Sequence, residues 1–278
     1  MTRKSRKCRP LAGPFQLRCR LTGTYRANSS DPRRNPHCGT LNVHPDMNNF
    51  QDPADCGPCP ETSPDWPVEF AGVTSCRACT SILAAQLLRD EGENLPQPGY
   101  IGMKYWRRRV LLVGQNPALP PQRLATADRP YTAALRELLQ TPTVDTYARF
   151  HSIVRHFIPR WPVHGSYFPL AECGLGLDEI AYCNIVRCRT LANRAPSAQM
   201  TNSCARHFVR WLELLRPSVV VFIGKWAHDR GMQHVQSLGL PCTFINRQRN
   251  LSTEDRSRNR QGVVETVKKA SLSCFGRY

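Results

Sequence analysis

The chain has 278 residues and a formal net charge of +17 at pH 7, from 38 Lys and Arg against 21 Asp and Glu. This length is enough for one sizeable hydrophobic core, or for one core with a small appended module. The charge favours a polyanionic partner, because each Lys or Arg placed against a phosphate releases condensed counterions. Nucleic acid is therefore the leading candidate partner, and an anionic membrane surface is the alternative.

The sequence lacks the patterns of membrane and secreted proteins. No run of about 18 apolar residues would span a bilayer, and the basic N-terminus is not followed by the apolar core of a secretory signal. We therefore expect a cytoplasmic protein with no membrane partner. We also expect it to be a monomer. In such a reducing compartment the 13 cysteines are expected to be metal ligands or buried thiols rather than disulfides.

The N-terminal part of the chain differs in composition from the rest. Residues 1–50 are rich in Arg, Lys, Pro and Asn, carry almost no acidic residues and show no hydrophobic period. They are predicted to form a poorly ordered basic extension, which either adds phosphate contacts or has no role. Residues 51–278 are predicted to form the folded domain. Pro and Gly continue through Pro67, so ordered structure is expected from about Cys76, with a first helix over Ser81–Leu88.

Strand and helix patterns alternate through the rest of the chain. The run Ser218–Gly224 is the clearest strand, because it is apolar and β-branched like a parallel strand covered on both faces. The other predicted strands are Val110–Val113, Ile180–Val186 and Cys242–Ile245. The predicted helices that follow are Tyr131–Gln140, Asn202–Leu215, Trp226–Leu238 and Thr253–Leu272. This alternation predicts an α/β fold, a three-layer α/β/α sandwich with a central parallel four-stranded sheet.

Polar residues lie at three of the predicted strands. Gly114–Ala118 follows the first strand, Asn184 lies within the strand Ile180–Val186, and Asn246–Ser252 follows the last strand. Open parallel sheets bind their ligands outside the carboxyl ends of the strands, so these segments are expected to converge on one pocket. Taken alone, the sequence Gly-Gln-Asn-Pro at 114–117 also fits an ordinary turn, since Gly and Asn-Pro are turn formers.

In combination these motifs resemble the uracil-DNA glycosylase superfamily, and most of all its iron–sulfur branch. That branch has a Gly-Glu-Ala-Pro-Gly loop, a Pro-Phe pair, a strand end Asn-x-x-x-Cys-Arg-Pro with Asn-Arg-x-Pro after it, a Cys on the next helix, and a later strand ending in Gly. The counterparts here are Gly114–Ala118, Pro130-Tyr131, Asn184–Arg189, Asn193–Pro196, Cys204 and Val219–Gly224. The resemblance covers roughly residues 76–251 and keeps the order of the motifs.

The resemblance implies a DNA glycosylase, with residues 51–278 as its catalytic domain. Such an enzyme flips a base out of DNA and hydrolyses its N-glycosidic bond, which leaves an abasic site. The base would be uracil or another modified pyrimidine, including a bulky phage-type base, in DNA repair or in antiviral defence against foreign DNA. The alternative, from a different class, is a non-catalytic iron–sulfur DNA-binding module of the same fold.

The resemblance also implies that four cysteines hold a 4Fe-4S cluster, because soft thiolates suit iron. These four are Cys76, Cys79, Cys188 and Cys204. A zinc site is the open alternative, since two Cys-x-x-Cys pairs in succession also suit a zinc ribbon. Its ligands would be Cys56, Cys59, Cys76 and Cys79.

Further residues are assigned to DNA by the same resemblance. Tyr131 stands at the family's stacking aromatic, although a core tyrosine fits the pattern as well. Asn184 would pair with the base edge, because an amide offers a donor and an acceptor together. Leu251 would be the apolar wedge that fills the vacated stack. Arg194 and Arg249 would contact phosphates.

Two departures from the family pattern concern the chemistry. Gln115 stands where the iron–sulfur branch has Glu, and Asn116 stands where other branches have Asp or Asn. A neutral amide orients a water but does not take its proton, so the reaction would rely on electrostatic stabilisation of an oxocarbenium-like sugar and an anionic base. The family's His-Pro-Ser loop is replaced by residues 245–250. There Arg247 or Arg249 would supply a positive charge for the departing base, and Asn246 would donate a hydrogen bond to it.

Overall fold

The computed structural model describes residues 64–79, 95–118, 129–157, 168–190, 194–248 and 250–272. The strands are β1 (Tyr100–Ile101), β2 (Val110–Gly114), β3 (Ile180–Asn184), β4 (Val219–Ile223) and β5 (Cys242–Ile245). The helices are α1 (Trp66–Thr74), α2 (Tyr105–Arg108), α3 (Arg129–Gln140), α4 (Val144–Phe157), α5 (Ala198–Leu215), α6 (Lys225–Ser237) and α7 (Thr253–Leu272). None of these helices combines the length and the hydropathy needed to cross a membrane.

The strands form one sheet in the order β1-β3-β2-β4-β5. The four neighbouring strands β3, β2, β4 and β5 are parallel, which confirms the predicted four-stranded parallel sheet. The additional strand β1 pairs antiparallel with β3 at the edge of the sheet. With only two residues, β1 is too short to produce a hydrophobic period, so the sequence does not predict it.

Alternate residues of the parallel strands face opposite sides of the sheet, where they enter two separate hydrophobic clusters. Leu111 and Val113 pack with buried residues of α1, α3, α4, α5 and α6. Val110 and Leu112 pack with Val263 of α7 and with residues of the 168–175 segment. Each fully buried Val or Leu side chain contributes about 1.5–3 kcal/mol of burial free energy. Helices thus cover both faces, and the predicted three-layer α/β/α sandwich is confirmed.

The beginning of the ordered structure is earlier than predicted. Helix α1 begins at Trp66, so the expectation that order starts near Cys76 is wrong. Pro67 belongs to the first turn of this helix, where a missing N–H costs nothing. The Asp65 side chain caps the helix by accepting from the Val68 amide at 3.2 Å. The predicted helix Ser81–Leu88 and the basic extension lie outside the described residues.

The carboxyl ends of the parallel strands lie at one edge, called here the carboxyl edge. Gly114 of β2 is in register with Asn184 of β3, and Val113 is in register with Phe222 of β4. β2 and β4 are neighbours, but the chain continues from β2 to β3 on one side and from β4 to β5 on the other. Such a reversal in an open α/β sheet is where ligands bind, outside the strand ends.

Candidate active site

Asn184 ends β3 directly beside Gly114, the last residue of β2. The Asn184 side chain is buried, and its Oδ1 accepts a hydrogen bond from the Tyr182 hydroxyl at 2.9 Å. Its Nδ2 has no hydrogen-bond partner among the residues that the structure describes. A Cβ at position 114 would lie 2.4 Å from Asn184 Oδ1, so this glycine leaves the space that the amide occupies.

Asn116 lies in the turn after β2 and is fixed by the segment that follows β3. Its Nδ2 donates to the Thr190 hydroxyl at 3.1 Å and to the Pro117 carbonyl at 3.2 Å. Thr190 is buried, and its hydroxyl donates in turn to the Arg194 carbonyl at 2.5 Å. Within the described ranges Asn116 Oδ1 accepts no hydrogen bond, so it is left to accept from a water.

The main chain joins these two segments as well. The Ile185 amide donates to the Gly114 carbonyl at 2.9 Å, and the Val186 amide donates to the Gln115 carbonyl at 3.0 Å. The pairing of β2 and β3 therefore continues past the strand ends. Gln115, Asn116 and Asn184 are thereby brought together at the carboxyl edge, as the sequence predicts for the first and second of the three polar segments.

Tyr131 is buried on α3, with its ring centroid 5.7 Å from that of Phe150. The Gln97 carboxamide lies between its hydroxyl, at 3.3 Å, and the Arg189 guanidinium, whose Nε and Nη2 are each 3.2 Å away. With its oxygen toward the guanidinium, Gln97 accepts from Arg189 and donates to Tyr131. Tyr131 is thus held at both its ring and its hydroxyl.

The loop after β5 is anchored by Asn259 on α7. Asn259 Oδ1 accepts from the Asn246 amide at 2.8 Å, and its Nδ2 donates to the Phe244 carbonyl at 3.1 Å. The Asn246 Oδ1 accepts from the Gln248 amide at 3.1 Å, which closes a local turn. Arg247 in this loop is exposed.

The three remaining residues that the sequence analysis assigns to DNA differ in exposure. Arg194 is exposed, and Leu251 is partly exposed just before α7. Arg249 lies outside the described residues. Exposed guanidinium and apolar side chains beside the carboxyl edge are available for phosphates and for stacked bases.

The four cysteines predicted to be ligands lie within electrostatic range of one another. Burial raises the pKa of the Cys188 thiol well above its usual range, and the negative charges of Cys204, Cys79 and Cys76 raise this pKa further. Burial likewise raises the pKa of Cys204 to about 11. In the described part of the chain, no group of three or more His, Cys, Asp or Glu side chains is arranged to hold a single metal ion. Cys56 and Cys59 lie outside the described residues.

Arginine side chains lie near three of these thiols. Arg206 Nη2 donates to Cys76 Sγ at 3.4 Å, and the positive charge of Arg77 lowers the pKa of Cys188. Arg187 directly precedes Cys188 and is buried, with its guanidinium 4.7 Å from the Trp211 ring centroid. Its backbone and its positive charge lower the pKa of Cys204, against the larger effect of burial. Such positive surroundings favour a bound group of net negative charge.

Comparison with known proteins identifies the family. The family model of the uracil DNA glycosylase superfamily matches residues 104–274, more than half of the chain. The chain belongs to the uracil-DNA glycosylase superfamily. Within this superfamily, a 58-residue segment is 36% identical to the type-4 uracil-DNA glycosylase of Archaeoglobus fulgidus. A 58-residue segment is 31% identical to the type-4 uracil-DNA glycosylase of Thermotoga maritima.

These matches with superfamily members are short. Each covers 21% of this chain, and they cover 29% of the Archaeoglobus protein and 30% of the Thermotoga protein. The chain thus aligns with less than a third of the length of the curated relatives it matches. Family membership therefore rests on the superfamily model.

The structure adds site residues that the sequence analysis did not select. Tyr182 was overlooked although it lies two residues before Asn184 and therefore on the same face of the strand. Thr190 stands where the superfamily's iron–sulfur branch has Pro. This difference in sequence could have indicated Thr190 as a site residue. Gln97 and Asn259 act across long sequence separations, so no local pattern indicates them.

Proposed function

We propose that this protein is a DNA glycosylase that flips a modified pyrimidine, uracil foremost, out of DNA and hydrolyses its N-glycosidic bond. The observation that carries this proposal is the pair of fixed amides at the carboxyl edge. Asn184 offers an unoccupied Nδ2 donor for a base edge, and Asn116 offers an unoccupied Oδ1 acceptor for a water among the described residues. Family membership supports the reaction class.

In this proposal Asn184 reads the flipped base and Tyr131 stacks on it, after the cost of a few kcal/mol for unstacking has been met. Asn116 orients the attacking water, with Gln115 beside it. Neither amide removes a proton, so the sugar must approach an oxocarbenium ion before the water attacks. Charge that develops on the departing base is then stabilised by Asn246 and Arg247 in the loop after β5.

The proposed DNA contacts lie around this site. Arg194 and Arg249 contact phosphates, which position the duplex without reading its sequence. Leu251 fills the space that the flipped base leaves in the stack. The folded catalytic domain begins near residue 51, and the basic residues 1–50 add phosphate contacts. The role is removal of damaged or foreign bases, in DNA repair or in defence against foreign DNA.

We further propose that Cys76, Cys79, Cys188 and Cys204 hold a 4Fe-4S cluster. The donor set supports it, because four thiolates are the usual ligands of this group. A cluster of four irons and four sulfides spans more widely separated thiols than one ion does. The surrounding guanidinium groups of Arg77, Arg187 and Arg206 offset its negative charge. The cluster would order the segments that carry these cysteines, next to the carboxyl edge.

The catalytic proposal is tested by replacing Asn116 with Ala. Base release from a uracil-containing oligonucleotide is expected to be lost, because no other described side chain is assigned to the water, while DNA affinity stays at the wild-type value. Free base is measured by mass spectrometry and affinity by fluorescence anisotropy. Unchanged release by the folded variant overturns the role of Asn116. Absence of release by the wild-type protein from every modified DNA, with DNA binding intact, identifies a binding module.

The cluster proposal is tested by metal analysis of the purified protein. The wild-type chain is expected to be brown and to contain iron and sulfide in equal amounts, near four of each per chain. Cys188→Ala is expected to lose both, whereas Cys173→Ala is the control because that buried cysteine lies in the 168–175 segment. Colourless protein with stoichiometric zinc in both variants would assign the metal to Cys56, Cys59, Cys76 and Cys79 instead.

A further inference from the structure

Basic residues gather at the amino ends of the parallel strands, opposite the carboxyl edge. Arg109 directly precedes β2, and Arg216 lies three residues before β4. The Ser218 amide donates to the Arg109 carbonyl at 2.8 Å, and the Ser218 hydroxyl donates to the Arg108 carbonyl at 2.7 Å. These bonds join the end of α2 to the segment between α5 and β4. The basic residues of the two segments, called here the amino-edge patch, are Lys104, Arg107, Arg108, Arg109 and Arg216.

Two arginines of this patch occupy backbone positions that suit glycine. Arg109 and Arg216 are the C-caps of α2 and α5, with φ of 50° and 42°. Among the residues that the structure describes, they are the only non-glycine residues with positive φ. A side chain in the left-handed region costs free energy, which is why glycine commonly follows a helix end. The fold thus carries positive charge at two neighbouring positions where glycine would relieve backbone strain, and such strain clusters at functional sites.

Acidic side chains neutralise only part of the amino-edge patch. Arg108 Nε lies 3.6 Å from Glu179 Oε1. Lys104, Arg107 and Arg216 are exposed, and in the described part of the chain no acidic side chain forms an ion pair with them. Like charges held close together repel one another, whereas a polyanion offsets them and releases its condensed counterions. The patch therefore suits a row of phosphates.

A short duplex at the carboxyl edge leaves this patch accessible. β2 has five residues, so at about 3.3 Å per residue it separates the two edges by roughly 16 Å. Duplex DNA is stiff over about 150 base pairs, and a short duplex does not wrap round the sheet to reach both edges. The phosphates that contact the patch must then belong to another DNA segment.

We propose that the amino-edge patch is a second DNA-binding surface, which holds the phosphate backbone of a duplex other than the one at the carboxyl edge. Family membership makes DNA the polyanion that this chain meets. Phosphate contacts read no sequence, so any DNA segment is accepted. A protein that holds two segments passes from one to the other without release into solution. This inference concerns binding alone and does not depend on base release.

The test measures how fast labelled DNA leaves the full chain as unlabelled DNA is added. A short fluorescent duplex without modified bases is bound at low salt, and its dissociation is followed by stopped-flow anisotropy. The wild-type rate is expected to rise with the concentration of unlabelled duplex, because a second duplex binds before the first one leaves.

The triple variant Lys104→Gln, Arg107→Gln, Arg216→Gln removes three exposed charges of the patch. It is expected to reduce the slope of this rate against competitor concentration about tenfold, since three phosphate contacts are lost. The rate extrapolated to zero competitor is expected to stay at the wild-type value, because the carboxyl edge still holds the first duplex.

Three arginines that are paired with acids provide the matched control. They are Arg149, Arg210 and Arg260, whose partners are Glu137, Glu69 and Glu172. Replacing these three by Gln changes the net charge by the same amount and is expected to keep the wild-type slope. Arg216→Gly removes one charge of the patch without backbone strain, because glycine adopts positive φ freely. It is expected to lower the slope without lowering the melting temperature.

The outcomes separate this inference from its rivals. A wild-type slope in the folded triple variant, or a wild-type rate that does not depend on competitor, overturns the second surface. If the triple variant does not fold, a wild-type slope in Arg216→Gly overturns it. Loss of binding to anionic phospholipid vesicles with an unchanged slope assigns the patch to a membrane and overturns it as well. Failure of base release contradicts the proposed function but leaves this inference standing.

Discussion

Two asparagines at the carboxyl edge are hydrogen-bonded to hydroxyl groups through opposite ends of their amides. Thr190 accepts from the Nδ2 of Asn116, so the Oδ1 of that amide remains as a hydrogen-bond acceptor. Tyr182 donates to the Oδ1 of Asn184, so the Nδ2 of that amide remains as a hydrogen-bond donor. Dipoles that are fixed before the substrate binds need no reorganisation during the reaction. Neutral side chains therefore suffice to present an acceptor and a donor at defined positions.

Thr190→Val is expected to slow base release about tenfold without weakening DNA binding. Valine has nearly the shape of threonine but lacks the hydroxyl, so Asn116 loses a hydrogen bond of about 1 kcal/mol and keeps only its bond to the Pro117 carbonyl. Single-turnover rates of base release and dissociation constants for DNA measure the two effects. Thr266→Val is the control, because the Thr266 hydroxyl bonds within α7, to the Gly262 carbonyl. Equal rates for Thr190→Val and the control would contradict the role of Thr190.

Sequence reasoning at this scale finds residues that belong to motifs. Asn184 within one predicted strand and Asn116 after another were expected in one pocket, and the structure has both at the carboxyl edge. The hydrogen bonds of these two amides could not be predicted from the sequence, since they depend on how β2, β3 and the segment after β3 pack. Thr190 stands in place of the Pro of the Cys-Arg-Pro pattern. Only the structure shows that its hydroxyl accepts a hydrogen bond from Asn116.

Among the elements, helix α7 is coupled to the loop after β5, which carries Asn246 and Arg247. The Asn259 carboxamide accepts from the Asn246 amide and donates to the Phe244 carbonyl, so it acts as an additional peptide group beside the end of β5. Val263 and Val267 on the same helix are buried against the sheet. The helix thus fixes the backbone of the segment that carries Asn246 and Arg247.

Asn259→Ala is expected to lower base release more than it lowers DNA affinity. The variant leaves one backbone donor and one backbone acceptor at the end of β5 without their partner, at a cost of about 1–3 kcal/mol, so the melting temperature is expected to fall by several degrees. Gln261→Ala is the control, because the Gln261 amide bonds to Glu265 on the exposed side of α7. Calorimetry and single-turnover assays give the two readouts. Wild-type melting and release in Asn259→Ala would refute this coupling.

Element boundaries follow from the sequence where the hydrophobic pattern is strong. The strand Cys242–Ile245 and the helix Thr253–Leu272 have the predicted bounds. Helix α1 was missed because prolines and glycines surround it, although Asp65 and Pro67 form a regular helix start. Helix α4 was missed as well, although its buried residues Tyr147, Phe150 and Val154 recur at helical spacing.

At the scale of the whole molecule, positive charge is the dominant feature. Part of the arginine content of the described residues is paired with acids. Arg258 pairs with Glu254 and Asp255, and Arg260 pairs with Glu172. Exposed pairs of this kind contribute little to stability, about 0–1 kcal/mol each. The basic N-terminal residues, in contrast, have few acidic neighbours in sequence.

Removal of residues 1–50 is expected to weaken DNA binding and to make it less dependent on salt. The logarithm of affinity falls linearly with the logarithm of salt concentration, with a slope set by the number of phosphates neutralised. Titrations of the full and shortened chains between about 50 and 200 mM salt measure this slope. Base release at low salt is expected to be unchanged. Identical slopes for both chains would show that this segment makes no phosphate contacts.

We propose that the carboxyl edge of this superfamily member releases a base from DNA. The most direct measurement is mass spectrometry of the bases freed by the wild-type protein from duplexes that each carry one modified pyrimidine, with unmodified DNA as the control. Free uracil, or another modified pyrimidine, is expected together with an equal amount of abasic DNA. No free base from any duplex, at protein concentrations that saturate DNA binding, would contradict the proposed base release.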